Sequence, residues 1–266
     1  MKKYLVMLHG FGCDSRTFSS LGTKLAKDHE VLMVDLPGHG QTLLRPEDYE
    51  GQKNTHTSFF KYSAYSILHA LDQYLKEPYS LLGWSMGGQI ALEMFRQKAL
   101  EKCDHEHCDH KHNNIESLIL ISSTPKFVAS DDFPAGMNKA VFGKFQKGLK
   151  SDLKKTMHDF YHLIFSENEE TSKFAAEFSA QIPSPETLSA CMNGFEIFDG
   201  RKSLPEINIP TLIISGDNDR IIDHKSSQYL ADNIMGSELK ILEGAGHAPH
   251  LTREKEMIDD ISEFLG

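Results

Sequence analysis

The segment 81–88, Leu-Leu-Gly-Trp-Ser-Met-Gly-Gly, constrains the fold of this 266-residue chain more than any other stretch. Residues 79–82 predict the end of a buried strand, and the apolar pattern of 89–96 predicts a helix. Between them, Gly83-x-Ser85-x-Gly87 is typical of a serine on a sharp strand-to-helix turn, where the backbone leaves no room for a Cβ atom at either glycine. Because the pattern also occurs by chance, a catalytic interpretation requires partners elsewhere in the chain.

Strands and helices alternate along most of the sequence. Apolar and β-branched runs predict six strands, at 3–8, 31–34, 79–82, 115–121, 211–215 and 239–242. Helical spacing predicts helices at 17–27, 58–75, 89–96 and 254–265. This alternation indicates an α/β fold, with a mainly parallel sheet and helices on both faces. Between about 125 and 205 this alternation is interrupted by sequence that is helical in pattern and has no predicted strand. We therefore predict a core of 1–124 and 206–266 with an inserted helical cap, or lid, of 125–205.

Composition argues against several classes of function. The 28 Lys+Arg and 38 Asp+Glu residues give a formal net charge of −10, which disfavours nucleic acid or an anionic membrane as a partner. The apolar run at 4–8 is too short for a secretory signal, and no apolar run approaches the ~20 residues that span a bilayer. The four cysteines form no recognisable disulfide framework. We therefore expect a cytoplasmic monomer that needs no cofactor.

Two downstream loops supply the partners that a serine nucleophile needs. A serine hydroxyl becomes nucleophilic when a histidine takes its proton and a carboxylate orients that histidine. Asp217 and Asp219 follow the fifth predicted strand, and His247 follows the sixth. Both loops therefore lie at the carboxyl ends of strands, where open α/β sheets place their sites. The order Ser85, aspartate, His247 is the triad order of α/β-hydrolases.

Position in the sequence decides between the alternative residues for each role in this triad. Asp219 is the later aspartate of a Gly-x-x-Asp loop and is our choice for the orienting carboxylate, whereas Asp217 is expected to cap the turn. His247 lies in a glycine-rich loop, which favours a catalytic base over a histidine that only bonds to backbone. His250 is a weaker candidate for the base. Cys13 is not expected to be a nucleophile, because no paired base is in view.

An oxyanion hole is built from backbone N–H groups, so position is the only signal for it. In the α/β-hydrolase arrangement the residue after the nucleophile, here Met86, supplies one N–H, and the loop after an early strand supplies the second. That loop is 9–11, His-Gly-Phe, and we predict Phe11 as the second donor. His9 itself is expected to shape the loop by hydrogen bonding.

Six motifs carry a resemblance to a known family, and they lie at 9–12, 35–40, 83–88, 122–127, 193–201 and 246–249. Through them the chain resembles the α/β-hydrolase superfamily and, more narrowly, the pimeloyl-[acyl-carrier-protein] methyl ester carboxylesterases of biotin synthesis. The resemblance implies a serine esterase that hydrolyses the methyl ester of a dicarboxylic acyl chain carried on phosphopantetheine. It also implies an acyl pocket lined by Phe11, Trp84, Met86, Phe160, Tyr161, His162, Leu163 and Ile164, with Trp84 beside Phe160.

The predicted cap is rich in positive charge. One amphipathic helical pattern runs from 139 to 164, and its part from 139 to 155 holds six lysines and one aspartate. A solvated helix face is the usual reason for such a charge run. The resemblance implies instead a docking surface for an acidic carrier protein, with contacts at Lys147, Lys154 and Lys155. Asp159 departs from the family pattern, which calls for a positive charge there.

An insert between the elbow helix and the fourth strand concentrates possible metal ligands. Six thiol or imidazole groups fall within ten residues, namely Cys103, His105, His107, Cys108, His110 and His112. These ligand types suit a soft or borderline metal, but paired C-x-x-C spacing is absent. We favour a hydrophilic surface loop that binds metals adventitiously. No catalytic metal is predicted, because the insert lies far in sequence from the triad.

Several functions stay open at this point. The leading hypothesis is a serine carboxylesterase that acts on a carrier-linked methyl ester. The alternatives are a generic short-chain carboxylesterase, a menaquinone-pathway lyase of the same fold, and a non-enzymatic ligand receptor or metal-responsive binding protein. The lyase would call for several arginines around its site, and this chain is poor in arginine. A receptor can keep a triad, so the sequence does not exclude it.

Overall fold

One parallel sheet organises the computed structural model, which describes residues 2–44, 58–101, 114–167, 169 and 182–266. The strand order is β2-β1-β3-β4-β5-β6, and every neighbouring pair runs parallel. The strands are β1 (Lys3–Leu8), β2 (His29–Val34), β3 (Tyr79–Trp84), β4 (Ile115–Ile121), β5 (Thr211–Gly216) and β6 (Glu238–Leu242). The six predicted strands are confirmed, and four of them are one or two residues longer than predicted.

Helices connect the strands. They are α1 (Ser19–Leu25), α2 (Phe59–Tyr74), α3 (Met86–Glu101), α4 (Lys139–Ser151), α5 (Leu153–Leu163), α6 (Pro185–Ile197), α7 (Lys225–Asn233), α8 (Pro249–Thr252) and α9 (Glu254–Leu265). Several begin where a short polar side chain accepts a hydrogen bond from a first-turn N–H, which satisfies an otherwise unpaired donor. These capping residues are Ser58, Asn138, Asp152 and Ser184.

The helices cover both faces of the sheet, as predicted. Helices α1 and α9 pack on each other, while α2 packs on α3 and α7 packs on β5 and β6. Every residue of β3, the strand that leads to Ser85, is buried. In the described part of the chain, no helix combines the length and apolarity needed to cross a membrane.

The single amphipathic run predicted over 139–164 is in fact two helices, α4 and α5. The break lies at Asp152, whose φ of −151° and ψ of 82° leave the helical region. Its carboxylate accepts a hydrogen bond from the Lys155 N–H and so starts α5 as the previous helix ends. Likewise, the helix predicted over 17–27 begins as a 3₁₀ turn at Ser15–Phe18 before it continues as α1.

The helices α4, α5 and α6 come between β4 and β5, and the two ends of this segment lie side by side. The Gly200 N–H donates to the Pro125 carbonyl at 2.8 Å. Lys126 Nζ lies 3.0 Å from Asp199 Oδ2, and Arg201 bonds the same carboxylate. The segment therefore leaves and rejoins the core at one place. Its treatment as a separate cap of 125–205 stays a prediction.

Candidate active site

Ser85 lies at the turn between β3 and α3. Its φ of 53° falls in the left-handed region, which residues with side chains rarely adopt. A Cβ on Gly83 would lie 2.5 Å from Gly88 Cα, and a Cβ on Gly87 would lie 2.1 Å from the Leu8 carbonyl oxygen. The steric need for both glycines, expected from the sequence, is confirmed. The turn presents Ser85 at the carboxyl end of β3 and at the first turn of α3.

The side chains of Ser85, His247 and Asp219 form a hydrogen-bonded row. His247 Nε2 lies 2.8 Å from Ser85 Oγ, and His247 Nδ1 lies 2.6 Å from Asp219 Oδ2. An ionised carboxylate only accepts hydrogen bonds, so Nδ1 carries the proton and Nε2 accepts from the serine hydroxyl. Because the His247 and Asp219 side chains are 1% and 0% exposed, both bonds lie in a low-dielectric environment. The row can remove the proton of Ser85.

The two aspartates of the β5 loop have different partners. Besides His247, Asp219 accepts hydrogen bonds through Oδ1 from the N–H groups of Ile221 and Ile222, at 2.8 and 2.9 Å. Asp217 Oδ1 instead accepts from the Gly244 N–H at 2.7 Å. The structure therefore brings Asp219, and not Asp217, to the histidine, while Asp217 ties the β5 loop to the loop that carries His247.

The other candidate base, His250, is buried away from the row. Its Nε2 lies 3.3 Å from Thr17 Oγ1, and its ring packs against Trp84 with 4.6 Å between centroids. Burial lowers the pKa of His250 to about 3, so the ring is neutral at ordinary pH. Burial likewise raises the pKa of the Cys13 thiol, which disfavours the thiolate that a cysteine nucleophile requires.

His9 shapes the loop after β1, as expected. Its Nδ1 lies 2.8 Å from the Gly10 carbonyl, and its Nε2 accepts from the Leu36 N–H at 3.0 Å. Burial lowers the pKa of His9 to about 4, which keeps it neutral and able to accept at Nε2. The side chain thus joins the loop after β1 to the loop after β2.

Phe11 and Met86 follow β1 and β3, which are neighbours in the sheet. From β1 the chain continues to β2 on one side, and from β3 it continues to β4 on the other, so both residues lie at the switch point of the sheet. Open α/β sheets place their binding crevices at such a point. Within the described residues, neither N–H donates to another protein group. Met86 begins α3, so its N–H has no intrahelical acceptor. Their joint role as an oxyanion hole stays a prediction.

An aromatic cluster joins the site to the helices between β4 and β5. The Phe11 ring packs edge-on against Phe145, Phe160 and Phe195, with centroids 6.0, 5.5 and 5.6 Å apart. Phe127 packs against Phe195 at 4.3 Å. Such a cluster presents an apolar surface that suits an acyl chain. Sequence reasoning missed Phe145, Phe127 and Phe195 as possible contacts, although the last two lie in motifs that carried the family resemblance.

Trp84 lies elsewhere than expected. It is 1% exposed, and its Nε1 donates to the His247 carbonyl at 2.8 Å. Its ring packs against the rings of His247 and His250. A Cβ on Gly10 would lie 2.9 Å from the same ring. Trp84 therefore supports the loop of His247, and the structure does not place it against Phe160.

The five consecutive residues 160–164 separate into three groups. Phe160 contacts Phe11, whereas His162 and Leu163 are exposed. Tyr161 and Ile164 are buried and bond to backbone of the core. The Tyr161 hydroxyl donates to the Gly12 carbonyl at 2.6 Å, and the Ile164 carbonyl accepts from the His247 N–H at 2.7 Å. Of the five, Phe160 has the ring contact with Phe11, and the Tyr161 ring packs on Phe160 with 5.9 Å between centroids.

The predicted docking lysines are exposed on α4 and α5. Lys147 and Lys154 face solvent, and so does Lys155. Lys155 pairs with Asp159 one turn further along α5, with both side chains more than half exposed. Of these three lysines, Lys155 therefore has a counter-charge on its own helix.

The metal-ligand insert lies outside the described residues, at 103–112. In the ranges that the structure describes, no group of three or more His, Cys, Asp or Glu side chains is arranged to hold a metal ion. The described cysteines, Cys13 and Cys191, are buried and free.

Comparisons with known proteins agree with this architecture. A family model described as alpha/beta hydrolase fold matches residues 3–254. A pimeloyl-[acyl-carrier protein] methyl ester esterase of Nitrosospira multiformis is 29% identical over 98% of this chain and 93% of that protein. One of Legionella pneumophila is 29% identical over 98% and 94%. Among solved structures, an esterase from Exiguobacterium antarcticum superposes with a TM-score of 0.84 at 24% identity, over 99% and 92% of the two chains.

Proposed function

We propose that this chain, which belongs to the α/β-hydrolase fold family, is a serine carboxylesterase whose substrate is a carrier-linked methyl ester of a dicarboxylic acid. The observation that carries the proposal is the row Ser85–His247–Asp219, with bonds of 2.8 and 2.6 Å in a buried setting. A strained serine at a strand-to-helix turn adds to it, because such strain persists where the surrounding structure fixes it for function.

Each residue of the site has one role in the proposed mechanism. Ser85 Oγ attacks the ester carbonyl carbon as His247 Nε2 takes its proton, and Asp219 stabilises the resulting imidazolium. The N–H groups of Met86 and Phe11 hold the oxyanion of the tetrahedral intermediate. As the intermediate collapses and the bond to the methoxy oxygen breaks, His247 gives its proton to that oxygen, so that methanol leaves and an acyl-enzyme remains. A water molecule gives a proton to His247 and attacks the acyl carbon. The bond to Ser85 Oγ then breaks as His247 returns the proton to Oγ, which frees the acid and Ser85.

The substrate class rests on the curated relatives and on the aromatic cluster. The relatives are named for a pimeloyl-carrier methyl ester and match nearly the whole chain. The cluster around Phe11 offers an apolar wall for a short acyl chain. The exposed lysines of α4 and α5 suit an acidic carrier protein or its phosphate arm. We extend the proposal to a cytoplasmic monomer in biotin synthesis that needs no cofactor.

Esterase activity is tested with wild-type protein and Ser85→Ala on pimeloyl-carrier methyl ester and on p-nitrophenyl butyrate. We expect wild type to release methanol from the first and nitrophenol from the second, and Ser85→Ala to lower kcat by about 10⁴- to 10⁶-fold on both. Ser20→Ala, at an exposed serine of α1, is the matched control and should retain full activity. Turnover in Ser85→Ala equal to wild type would contradict the proposal.

The two substrates also separate the alternatives. A generic short-chain esterase would hydrolyse the small ester at least as well as the carrier-linked ester, measured as kcat/KM. A non-enzymatic receptor would hydrolyse neither substrate. We expect the carrier-linked ester to be preferred.

A further inference from the structure

The loop that carries His247 is held by the segment that follows α5. We call residues 243–248 the His loop and the described residues of 164–169 the clamp. The backbone N–H of His247 donates to the Ile164 carbonyl of the clamp at 2.7 Å. On the other side, the carbonyl of His247 accepts from Trp84 Nε1 at 2.8 Å. Both backbone groups of the histidine are therefore fixed, one of them by the clamp.

Among the described residues of the clamp, Glu169 makes the most side-chain hydrogen bonds to the His loop and α8. Its Oε1 accepts from the Gly246 N–H at 3.2 Å and from the Thr252 hydroxyl at the end of α8. Its Oε2 accepts from the Ser166 N–H at 2.7 Å, which folds the clamp back on itself. One carboxylate thus joins the clamp, the His loop and α8. Bonds of an N–H or O–H to a carboxylate are stronger than bonds to a neutral acceptor.

The contact between the clamp and Gly246 is close enough to exclude a side chain there. A Cβ on Gly246 would lie 2.6 Å from Ser166 N, 2.7 Å from Glu169 Oε2 and 2.8 Å from the Ile164 carbonyl oxygen. In addition, Ser166 Oγ donates to the Gly244 carbonyl at 3.0 Å. The glycine-rich character of the His loop, noted from the sequence, has a physical reason in this approach.

We infer that Glu169 is a positioning residue, whose carboxylate fixes the His loop so that His247 keeps its bonds to Ser85 and Asp219. The inference rests on the proposed function, because it assigns a consequence to the position of His247. A displacement of a catalytic group by about 1 Å costs on the order of 10²-fold in rate. Because the clamp continues directly from α5, the helix that carries Phe160 is linked to the His loop by the bonds of Ile164 and Glu169.

The test compares Glu169→Ala and Glu169→Gln with Glu167→Ala, an exposed glutamate of the same segment. The substrate is p-nitrophenyl butyrate, which needs no carrier docking. We expect Glu169→Ala to lower kcat by about 10- to 100-fold with KM within about twofold of wild type. Glu169→Gln should fall between, because its amide oxygen can accept from Gly246 while its NH₂ group cannot accept from Ser166. Glu167→Ala should match wild type.

A spectroscopic readout follows the position of the histidine itself. The Nδ1 proton of His247, held at 2.6 Å between nitrogen and carboxylate, should give a far-downfield proton NMR signal that is present in wild type and lost in Glu169→Ala. If Glu169→Ala does not fold, Thr252→Val removes one bond to the carboxylate and should lower kcat about threefold, while Thr252→Ser should restore it.

The outcomes separate this inference from the proposed function. If Glu169→Ala keeps both kcat and the downfield signal while Ser85→Ala is inactive, the esterase proposal stands and the positioning role is overturned. If wild type turns over no ester, the proposed function fails. The NMR signal then decides the positioning role alone: its loss in Glu169→Ala supports that role, and its retention overturns it.

Discussion

The His loop and the lysine-bearing face of α4 and α5 are built in opposite ways. In the His loop, backbone groups of 244–247 bond to Asp217 in the loop after β5, to the clamp and to Trp84, and a side chain at Gly246 would not fit. On α4 and α5 the charged ends of the lysines lie in solvent, and the bond of Lys155 is to Asp159 on the same helix. The His loop is therefore held mainly through its backbone, whereas the lysine-bearing face offers exposed side chains.

This difference sets how sensitive each region is to substitution. Breaking a buried, charge-assisted hydrogen bond leaves a partner unsatisfied in a low-dielectric environment, which is costly. An exposed ion pair contributes about 0–1 kcal/mol, because water and salt screen it. The His loop should tolerate few changes, whereas the surface of α4 and α5 can change charge without loss of the fold. Substrate preference can thus vary while the triad stays the same.

Among variants of the residues around Ser85, the largest effect is expected from Asp219→Asn. This change keeps the shape of the side chain but favours the wrong tautomer of His247, and the corresponding change in a serine protease lowers kcat by about 10⁴-fold. We expect a loss of that order on p-nitrophenyl butyrate with KM little changed, measured by steady-state kinetics.

Asp217→Asn is the matched control, because Asp217 lies in the same loop and bonds to Gly244 instead of the imidazole. It should lose no more than about tenfold. Equal losses in the two variants would contradict the assignment of Asp219 and leave the choice between the aspartates open.

A smaller effect is expected from the double variant Lys147→Glu, Lys154→Glu on carrier-linked substrate. Reversing two exposed charges weakens attraction to an acidic carrier, and we expect kcat/KM for pimeloyl-carrier methyl ester to fall about tenfold at low salt. Turnover of p-nitrophenyl butyrate should not change. Lys155 is left in place because its reversal would also repel Asp159.

Lys27→Glu, Lys255→Glu is the control for net charge, since both lysines are exposed and lie outside α4 and α5. It should leave both substrates unaffected. A similar loss in the two double variants would mean that total charge matters, and not this face of the molecule. A loss on the small ester as well would indicate damage to the site.

The sequence alone predicted the parts of the site that depend on local pattern. Ser85 was found because a strand, two glycines and a helix surround it, and His247 because its loop follows the last strand. Asp219 and Asp217 differ by two positions; the Gly-x-x-Asp pattern favoured Asp219, and the bonds to His247 and Gly244 agree with that choice. The parallel direction of the strands was expected from the alternation of elements, since parallel strands need helical crossovers, but their order came from the structure.

Other features depend on contacts between distant parts of the chain and left no periodic signal. Trp84 was expected beside Phe160, but its indole N–H found an acceptor 163 residues later, at His247. The break between α4 and α5 at Asp152 falls in an unbroken amphipathic stripe, because one aspartate can end and start a helix without altering the apolar spacing. Glu169 bonds to residues 77 and 83 positions away, so its role was not readable from its neighbours.

The smallest effect is expected from Asp199→Asn. Asp199 lies at the junction where the segment that holds α4, α5 and α6 leaves and rejoins the core. Burial alone would raise the pKa of Asp199, but hydrogen bonds from Arg201 and Lys126 outweigh it and lower the pKa to about 2. A carboxyl whose pKa is lowered on folding stabilises the protein above its unfolded pKa of about 3.9, and this stability is lost as the pH falls toward 2. Because the side chain is 33% exposed, we discount the effect to about 1 kcal/mol.

Urea unfolding of wild type and Asp199→Asn between pH 7 and pH 3 measures this contribution. The gap in free energy of unfolding should be constant above about pH 5 and narrow below about pH 4, because the carboxyl of Asp199 then takes up a proton in the unfolded chain before it does so in the folded protein. Asp28→Asn, at an exposed turn of the core, should show no such gap. A gap that persists undiminished at pH 3 would mean that Asp199 acts through shape and not charge. The junction would then depend on fixed geometry, as the His loop does, more than on charge, as the surface of α4 and α5 does.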